Sequence, residues 1–313
     1  MKKRLKKLIL LGVFTTGVIY ALNKFIEHTA ERKNLIDANK GQFYKWKYGS
    51  VFYTKKGDGS PILLIHDLNP ISSGYEWSRM VRFLSKDHTV YTIDLLGCGR
   101  SDKPAITYTS YLYVNFLQDF IKEIIQEKTT IVASGLSVTF TLAAANLFPD
   151  WITKTIIVNP APLSEAAKTP TDRTKLVKFL MELPILGTYI YNIETGEKNI
   201  TRLFKERYFL KQTGILEESK DVYFEAAHKN HAGGKYLLSS IRGYYMNTNL
   251  KLPLKNIEHL CFIGSRERSH SVAIIDEYAN FNKHIETAYV SGSKYLPQLE
   301  APAKLYESLK LFL

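Results

Sequence analysis

Short apolar runs alternate with segments of helical periodicity through the middle of the chain. Residues 61–66 form a short apolar run with the length and composition of a buried strand, and residues 88–94 are a second predicted strand. Between them, Trp77, Met80 and Leu84 recur at the spacing of one helix face. A strand, a helix and a second strand in this order predict a parallel βαβ unit.

The same alternation continues towards the C-terminus. Residues 154–159 and 259–264 are two further predicted strands, and the pattern between them is helical. Leu176, Phe179 and Leu180 have the spacing of one amphipathic helix in this stretch. The sequence therefore predicts an α/β fold that is interrupted by a helical insertion.

The segment from residue 63 to 104 resembles the N-terminal half of the α/β-hydrolase superfamily. In that family one strand ends in His-Gly, the next ends in Asp, and a Gly-x-Gly-x-Ser-Asp loop follows. The matching positions here are His66-Asp67, Asp94 and the loop at residues 97–102. The resemblance implies the α/β-hydrolase fold, a mostly parallel sheet with helices on both faces.

The resemblance also implies a division of the chain. Residues 40–162 and 257–313 would form the hydrolase core, and residues 163–256 would form a helical cap. A cap of this kind covers the pocket and shapes what enters it.

The nucleophile of this family lies on a strained Gly-x-Ser-x-Gly turn between a strand and a helix. In many relatives a Pro-Asp pair ends that helix, and Pro149-Asp150 occupies that place here. Counting back from the pair puts Gly135 at the nucleophile position. In the alternative register Ser137 is the nucleophile. Otherwise Ser134 and Ser137 are small residues that fit the tight turn.

The other two members of the triad are located by the same resemblance. Glu267 follows the late strand at the position of the acid, although it could equally be a surface carboxylate between two arginines. The Leu-Glu-Ala-Pro tail at residues 299–302 fixes the histidine position at Tyr295. A phenol with an ordinary pKa of about 10 is too weak a base near neutral pH. Loss of a triad nucleophile or base lowers turnover by roughly a million-fold.

The oxyanion-binding groups of the family are backbone N–H groups, which the resemblance assigns to Leu68 and Leu136. Asp67 replaces the glycine of the family's His-Gly pair. Its carboxylate either adds negative charge where an oxyanion would form or simply caps the following loop. We expect His66, Asp67 and Ser134 to lie at the pocket.

The sequence points to no cofactor and no metal. None of the histidines has the spacing of a metal site, and no glycine-rich loop follows a strand in the manner of a dinucleotide-binding fold. The net charge is +12, but basic residues are not interleaved with aromatic ones as in nucleic-acid-binding modules, so nucleic acid is not an expected partner.

The N-terminus has a different composition from the rest of the chain. Residues 1–7 are strongly basic, and residues 8–22 are apolar and uncharged. We interpret residues 1–30 as an uncleaved signal anchor that crosses the cell membrane once, with the basic end in the cytoplasm and the body outside. A cleaved signal peptide is the alternative.

Three functional hypotheses follow. The first is a membrane-anchored, catalytically impaired protein that binds a small apolar ligand or a partner. The second is an active hydrolase of carboxylic esters that uses Ser137 or a non-standard constellation. The third is an interaction protein with a vestigial pocket. The sequence indicates neither the ligand nor the oligomeric state.

Overall fold

The computed structural model describes the backbone of residues 2–38 and 40–313, and the side chains of residues 10, 14–37 and 40–313. Within this part of the chain one sheet has eight strands in the order β1-β2-β4-β3-β5-β6-β7-β8. The strands are β1 (Gln42–Trp46), β2 (Gly49–Lys56), β3 (Pro61–Ile65), β4 (Thr89–Ile93), β5 (Thr129–Ser134), β6 (Ile152–Val158), β7 (Leu260–Ser265) and β8 (Glu286–Val290).

The sheet is mostly parallel. Strand β2 pairs antiparallel with β1 and β4, and the pairs from β4 through β8 are parallel. Strand β3 is buried on both faces: Leu63 and Ile65 pack into one core cluster, whereas Ile62 and Leu64 pack into the other. This alternation explains why the strand is a continuous apolar run in the sequence.

Helices cover both faces of the sheet. Helices α3 (Ser110–Phe120) and α4 (Val138–Leu147) contribute to one core cluster, and α2 (Ser78–Leu84) and α14 (Pro302–Lys310) contribute to the other. The predicted fold class is therefore confirmed. The helices are α1 (Lys2–Ala30), α2 (Ser78–Leu84), α3 (Ser110–Phe120), α4 (Val138–Leu147), α5 (Leu163–Ala166), α6 (Asp172–Glu182), α7 (Leu186–Glu194), α8 (Glu197–Leu203), α9 (Glu217–His228), α10 (Gly234–Arg242), α11 (Lys251–Asn256), α12 (Ser271–Ala279), α13 (Pro297–Glu300) and α14 (Pro302–Lys310).

Helices α5 to α11 lie between β6 and β7, in the region predicted as the helical insertion. Helix α6 packs against α7 and α10. Its predicted apolar face is not a core face, because Leu176 is 57% exposed and Phe179 is 60% exposed. The helical periodicity was a correct signal for the element but did not predict its burial.

The N-terminal helix α1 packs its C-terminal half against the helical insertion. The Asn23 amide donates to the backbone oxygen of Ile185 (3.2 Å) and accepts from the Asn192 amide (2.9 Å). No helix within the described residues is both long and apolar enough to cross a bilayer. The side chains of residues 1–9 and 11–13, which include the basic flank and much of the predicted anchor, lie outside the described residues. The membrane-spanning anchor is thus not supported here and stays a prediction.

Candidate functional site

The turn between β5 and α4 contains a glycine, Gly135, at the position that the resemblance assigns to the nucleophile. Gly135 has a φ of 60°, in the left-handed region that favours glycine. A Cβ atom at this position would lie 2.7 Å from the Tyr295 hydroxyl and nearer still to Oδ1 and Cγ of Asp67. Real Cβ atoms essentially never make contacts under 3.0 Å. The space that a side chain at residue 135 needs is therefore already filled.

Asp67 fills that space from the loop after β3. Its Oδ1 accepts a hydrogen bond from the Leu136 N–H (2.7 Å), and its Oδ2 accepts one from the Tyr295 hydroxyl (3.1 Å). Only 6% of Asp67 is exposed. The Leu136 N–H, which the resemblance assigned to oxyanion binding, therefore already has an acceptor within the chain. Leu68, the other assigned residue, lines a cleft of about 540 Å³ whose wall also includes Asp67 and Tyr295.

Tyr295 is held rigidly beside Asp67. Its backbone N–H donates to the Tyr208 carbonyl (3.0 Å), its carbonyl accepts from the Asn159 amide (3.0 Å), and the Tyr208 ring stacks on its ring at 5.5 Å. Burial raises the pKa of the Tyr295 phenol far above its usual range, and the nearby Asp67 carboxylate raises it further. Tyr295 consequently acts as a hydrogen-bond donor to Asp67 and has no capacity as a base near neutral pH.

Glu267 is not part of this cluster. Its exposed carboxylate accepts hydrogen bonds from the backbone N–H groups of Gly292 (2.8 Å) and Ser293 (3.4 Å). These contacts tie down the loop that leads to Tyr295. The structure thus brings Gly135 and Tyr295 together, as expected, but leaves Glu267 on the surface behind the loop.

The two serines of the turn point away from the cleft. The Ser137 hydroxyl is fully buried and donates to the His66 carbonyl (2.5 Å). Ser134 is also buried, and its hydroxyl donates to the Ile65 carbonyl (3.4 Å). Neither serine lines the cleft, so both have the geometry of packing residues in the turn.

His66 is a buried structural residue next to Asp67. Its Nε2 accepts from the Leu95 N–H (3.0 Å), which leaves the proton on Nδ1 to be donated to the Asp67 carbonyl (2.7 Å). Burial lowers the pKa of His66, so the imidazole is neutral at pH 7. Within the described part of the chain, no three His, Cys, Asp or Glu side chains are grouped so that they could hold a metal ion.

A second buried carboxyl, which the sequence did not reveal, lies beneath Asp67. Oε2 of Glu76 accepts from the Asp67 N–H (3.0 Å) and the Gln298 amide (3.4 Å), and its Oε1 accepts from the Tyr223 hydroxyl (3.0 Å). Burial raises the pKa of Glu76 to about 8, and the neighbouring Asp67 adds to the rise. Glu76 positions Asp67 through its backbone, and at neutral pH it is mostly uncharged.

Asp67 and Tyr295 form part of the wall of a cleft of about 540 Å³ between the core and the helical insertion. Ligand pockets typically have volumes of about 300–1000 Å³. Two arginines, Arg207 and Arg268, also line this cleft. They come from separate segments of the chain, and no spacing in the sequence identifies them. The apolar part of the wall includes Leu68, Ile71, Leu136, Leu203, Leu238 and Ile241.

Comparisons with known proteins agree with this fold. Residues 60–181 match the family model described as the alpha/beta hydrolase fold. An uncharacterized protein of Mycobacterium tuberculosis is 34% identical over 103 residues, which cover 33% of this chain and 30% of that protein. A 2-hydroxy-6-oxo-6-(2'-aminophenyl)hexa-2,4-dienoic acid hydrolase of Metapseudomonas resinovorans is 28% identical over 113 residues, 36% of this chain and 39% of the relative. The chain thus spans about a third of the length of the curated relatives that it matches.

Solved structures match over much more of the chain. A membrane phospholipase A, described as a bacterial virulence factor, has a TM-score of 0.70 at 18% identity and covers 100% of this chain and 98% of its own. A serine hydrolase involved in carbazole degradation also has a TM-score of 0.70, at 15% identity, over 88% of this chain and 98% of its own. Likeness at these identities shows the fold. The eight-stranded sheet, the family model and these neighbours together show that the chain has the α/β-hydrolase fold.

Proposed function

We propose that this protein is impaired at the serine-hydrolase site and binds a small ligand with an apolar body in the cleft beneath the helical insertion. One observation carries the proposal: the Asp67 carboxylate occupies the space of the missing nucleophile and takes the Leu136 N–H. The cleft itself remains open, at about 540 Å³. Binding without acyl transfer is the function that this arrangement supports best.

Acyl transfer needs a nucleophile, a base and oxyanion donors, and each is affected here. Residue 135 carries no hydroxyl, and Tyr295 holds its proton. Loss of one oxyanion donor alone lowers kcat by about 10²–10³-fold. A carboxylate at that donor also repels the negative charge that develops on the substrate oxygen. Because all of these effects slow the same reaction, we expect a serine mechanism at this site to have a very low turnover rate.

An active hydrolase with a non-standard constellation is the second candidate. The Asp67–Tyr295 pair favours it, because a carboxylate and a proton donor face the cleft together. The Ser137 version has less support, since that hydroxyl is fully buried and engaged by the His66 carbonyl. Curated relatives named as a hydrolase and a haloalkane dehalogenase agree with hydrolysis only as a general class.

Ester turnover by the purified full chain separates these candidates. With short p-nitrophenyl esters, we expect no hydrolysis above that of heat-denatured protein. Turnover that is lost in Ser137→Ala would establish the serine hydrolase, and turnover lost in Asp67→Asn would establish the non-standard one. Either result overturns the proposal.

A restoration experiment tests the assigned positions. The double variant Gly135→Ser, Tyr295→His retains the Asp67 carboxylate in the space that the side chain of residue 135 needs, so it should remain inactive. Adding Asp67→Gly frees both the space and the Leu136 N–H, so weak turnover should appear only in the triple variant. Equal activity of the double and triple variants would show that Asp67 does not block the site.

We also propose that helix α1 associates with a membrane and that the body lies outside the cytoplasm. The proposal is supported by exposed apolar side chains on this helix, including Leu10 (74% exposed), Phe14 (69%) and Phe25 (67%). Protease added to intact cells or protoplasts should digest the body. Full protection until the cells are lysed would reject the orientation, and recovery of the full chain in the soluble fraction would reject the association.

A further inference from the structure

Two arginines that line the cleft, Arg207 and Arg268, make no close ion pair within the described residues. Arg207 follows α8, and Arg268 follows β7. Within the described residues, neither guanidinium lies within 4.0 Å of a carboxylate, the limit for an ion pair. Arg242 in the same cleft differs, because it pairs with Glu194 at 2.7 Å. The lack of an ion pair is therefore specific to Arg207 and Arg268 and is not shared by every arginine that lines the cleft.

Both guanidinium groups lie near the ring of Tyr295, and both residues line the same cleft. The central carbon of Arg207 lies 5.1 Å from the centre of the Tyr295 ring, and that of Arg268 lies 5.3 Å from it. Arg268 is fixed by a hydrogen bond from its guanidinium to the Pro160 carbonyl (2.8 Å), whereas the Arg207 side chain is exposed. The ring of Tyr295, whose hydroxyl donates to Asp67, thus has both guanidinium groups near it.

The charges at this end of the cleft do not balance. Asp67 is the nearby anion, and its carboxylate oxygens are engaged by the Leu136 N–H and the Tyr295 hydroxyl. Burial lowers the pKa of the Arg268 guanidinium and repulsion from Arg207 adds to this, whereas Tyr295 and Asp67 act in the opposite direction. Two neighbouring cations against one anion leave an excess positive charge, which an incoming anion would neutralise.

We propose that Arg207 and Arg268 form the subsite for an anionic head group, a carboxylate or a phosphate monoester, on the ligand of this cleft. This inference rests on the proposed function and names the ligand class. Guanidinium groups bind both anions through charge-assisted, often bidentate hydrogen bonds. The apolar body of the ligand then lies against Leu203, Leu238 and Ile241, which line the same cleft.

Isothermal titration calorimetry on the purified full chain tests the subsite with three matched probes: octanoate, octyl phosphate and 1-octanol. Charge-assisted hydrogen bonds predict that at least one anionic probe binds ten-fold or more tightly than the neutral alcohol. Comparison of octanoate with octyl phosphate identifies which head group the subsite prefers. The advantage over 1-octanol should shrink as salt is added, because a charged contact is screened.

Single substitutions distinguish specific binding at the two arginines from attraction by the overall positive charge of the protein. Arg207→Gln and Arg268→Gln should each weaken anion binding about ten-fold and leave 1-octanol binding unchanged. Arg268→Lys keeps the charge and should retain much of the affinity. Arg242→Gln is the matched control, since it removes a paired arginine from the same cleft and should change anion binding little.

The outcomes distinguish the two proposals. If 1-octanol binds and neither anion binds more tightly, the anionic subsite is wrong and the apolar ligand stands. If none of the three probes binds, the ligand-binding function itself fails. If Arg242→Gln weakens anion binding as much as Arg207→Gln and Arg268→Gln, the effect comes from overall charge and the assigned subsite is overturned.

Discussion

Replacement of Gly135 by serine should destabilise the protein, although serine is the residue that the family uses there. The left-handed backbone at φ 60° costs a residue with a side chain roughly 1–2 kcal/mol. The new Cβ would also press on Asp67 and on the Tyr295 hydroxyl at 2.7 Å. Overpacking of a buried site costs about 1–3 kcal/mol. Together these terms predict a loss of about 2–5 kcal/mol in the free energy of unfolding.

A double-mutant cycle with Asp67→Gly isolates the contact. Asp67→Gly removes the clashing carboxylate but leaves the backbone strain, so Gly135→Ser should cost at least about 1 kcal/mol less in that background. Urea-unfolding midpoints and slopes of the four proteins provide the measurement. Gly214→Ser is the control, because the nearest atom to a Cβ at that position is 3.9 Å away and the change should be close to neutral.

Two results would refute the reasoning. If Gly135→Ser is as stable as the wild type, Asp67 does not occupy the side-chain position of residue 135. If the cycle gives no coupling, the cost comes from the backbone alone and the carboxylate is free to move aside.

Two further predictions follow from the same cluster. Tyr295→Phe leaves Oδ2 of the buried Asp67 without its hydrogen-bond donor and should lower the free energy of unfolding, measured with urea, by about 1–3 kcal/mol. Tyr111→Phe, at a 66% exposed tyrosine, is the control and should lower it hardly at all. Equal losses in the two variants would contradict the assignment. Because the pKa of Glu76 is raised from 4.5 to about 8, the native state holds a proton that the unfolded state releases, so this residue's stabilising contribution is complete below pH 4.5 and is lost as the pH rises through about 8. Glu76→Gln should flatten the fall in unfolding free energy between pH 5 and 8 by about one proton's slope, and an unchanged slope would count against the buried carboxyl.

Much of the fold was predictable because its signals are local. The buried strand β3 is an uninterrupted apolar run, and α2 shows its period in Trp77, Met80 and Leu84. The resemblance assigns the nucleophile and base positions to Gly135 and Tyr295 because Pro149-Asp150 and the tail at residues 299–302 lie a short way along the chain from them. In the structure these two residues lie close together, since a Cβ atom on Gly135 would be 2.7 Å from the Tyr295 hydroxyl.

The interactions within the site were not predictable, because they join distant segments. Asp67 was recognised as an unusual residue, but only the fold shows that its carboxylate reaches the Leu136 N–H. Glu76 stands at the start of a helical segment, where a glutamate is usually solvated, and it is buried here by Tyr223 from the helical insertion. Arg207 and Arg268 are 61 residues apart in the sequence, and in the structure both lie near the ring of Tyr295.

The central claim is that the elbow carries no working nucleophile, and active-site labelling tests it most directly. The full chain is treated with a fluorophosphonate and the sites of modification are mapped by mass spectrometry, with the triple variant Gly135→Ser, Asp67→Gly and Tyr295→His as a comparison. We predict no modified serine in the wild-type protein and modification of residue 135 in the triple variant. Stoichiometric modification of Ser137 in the wild type, abolished by Ser137→Ala, would contradict the account.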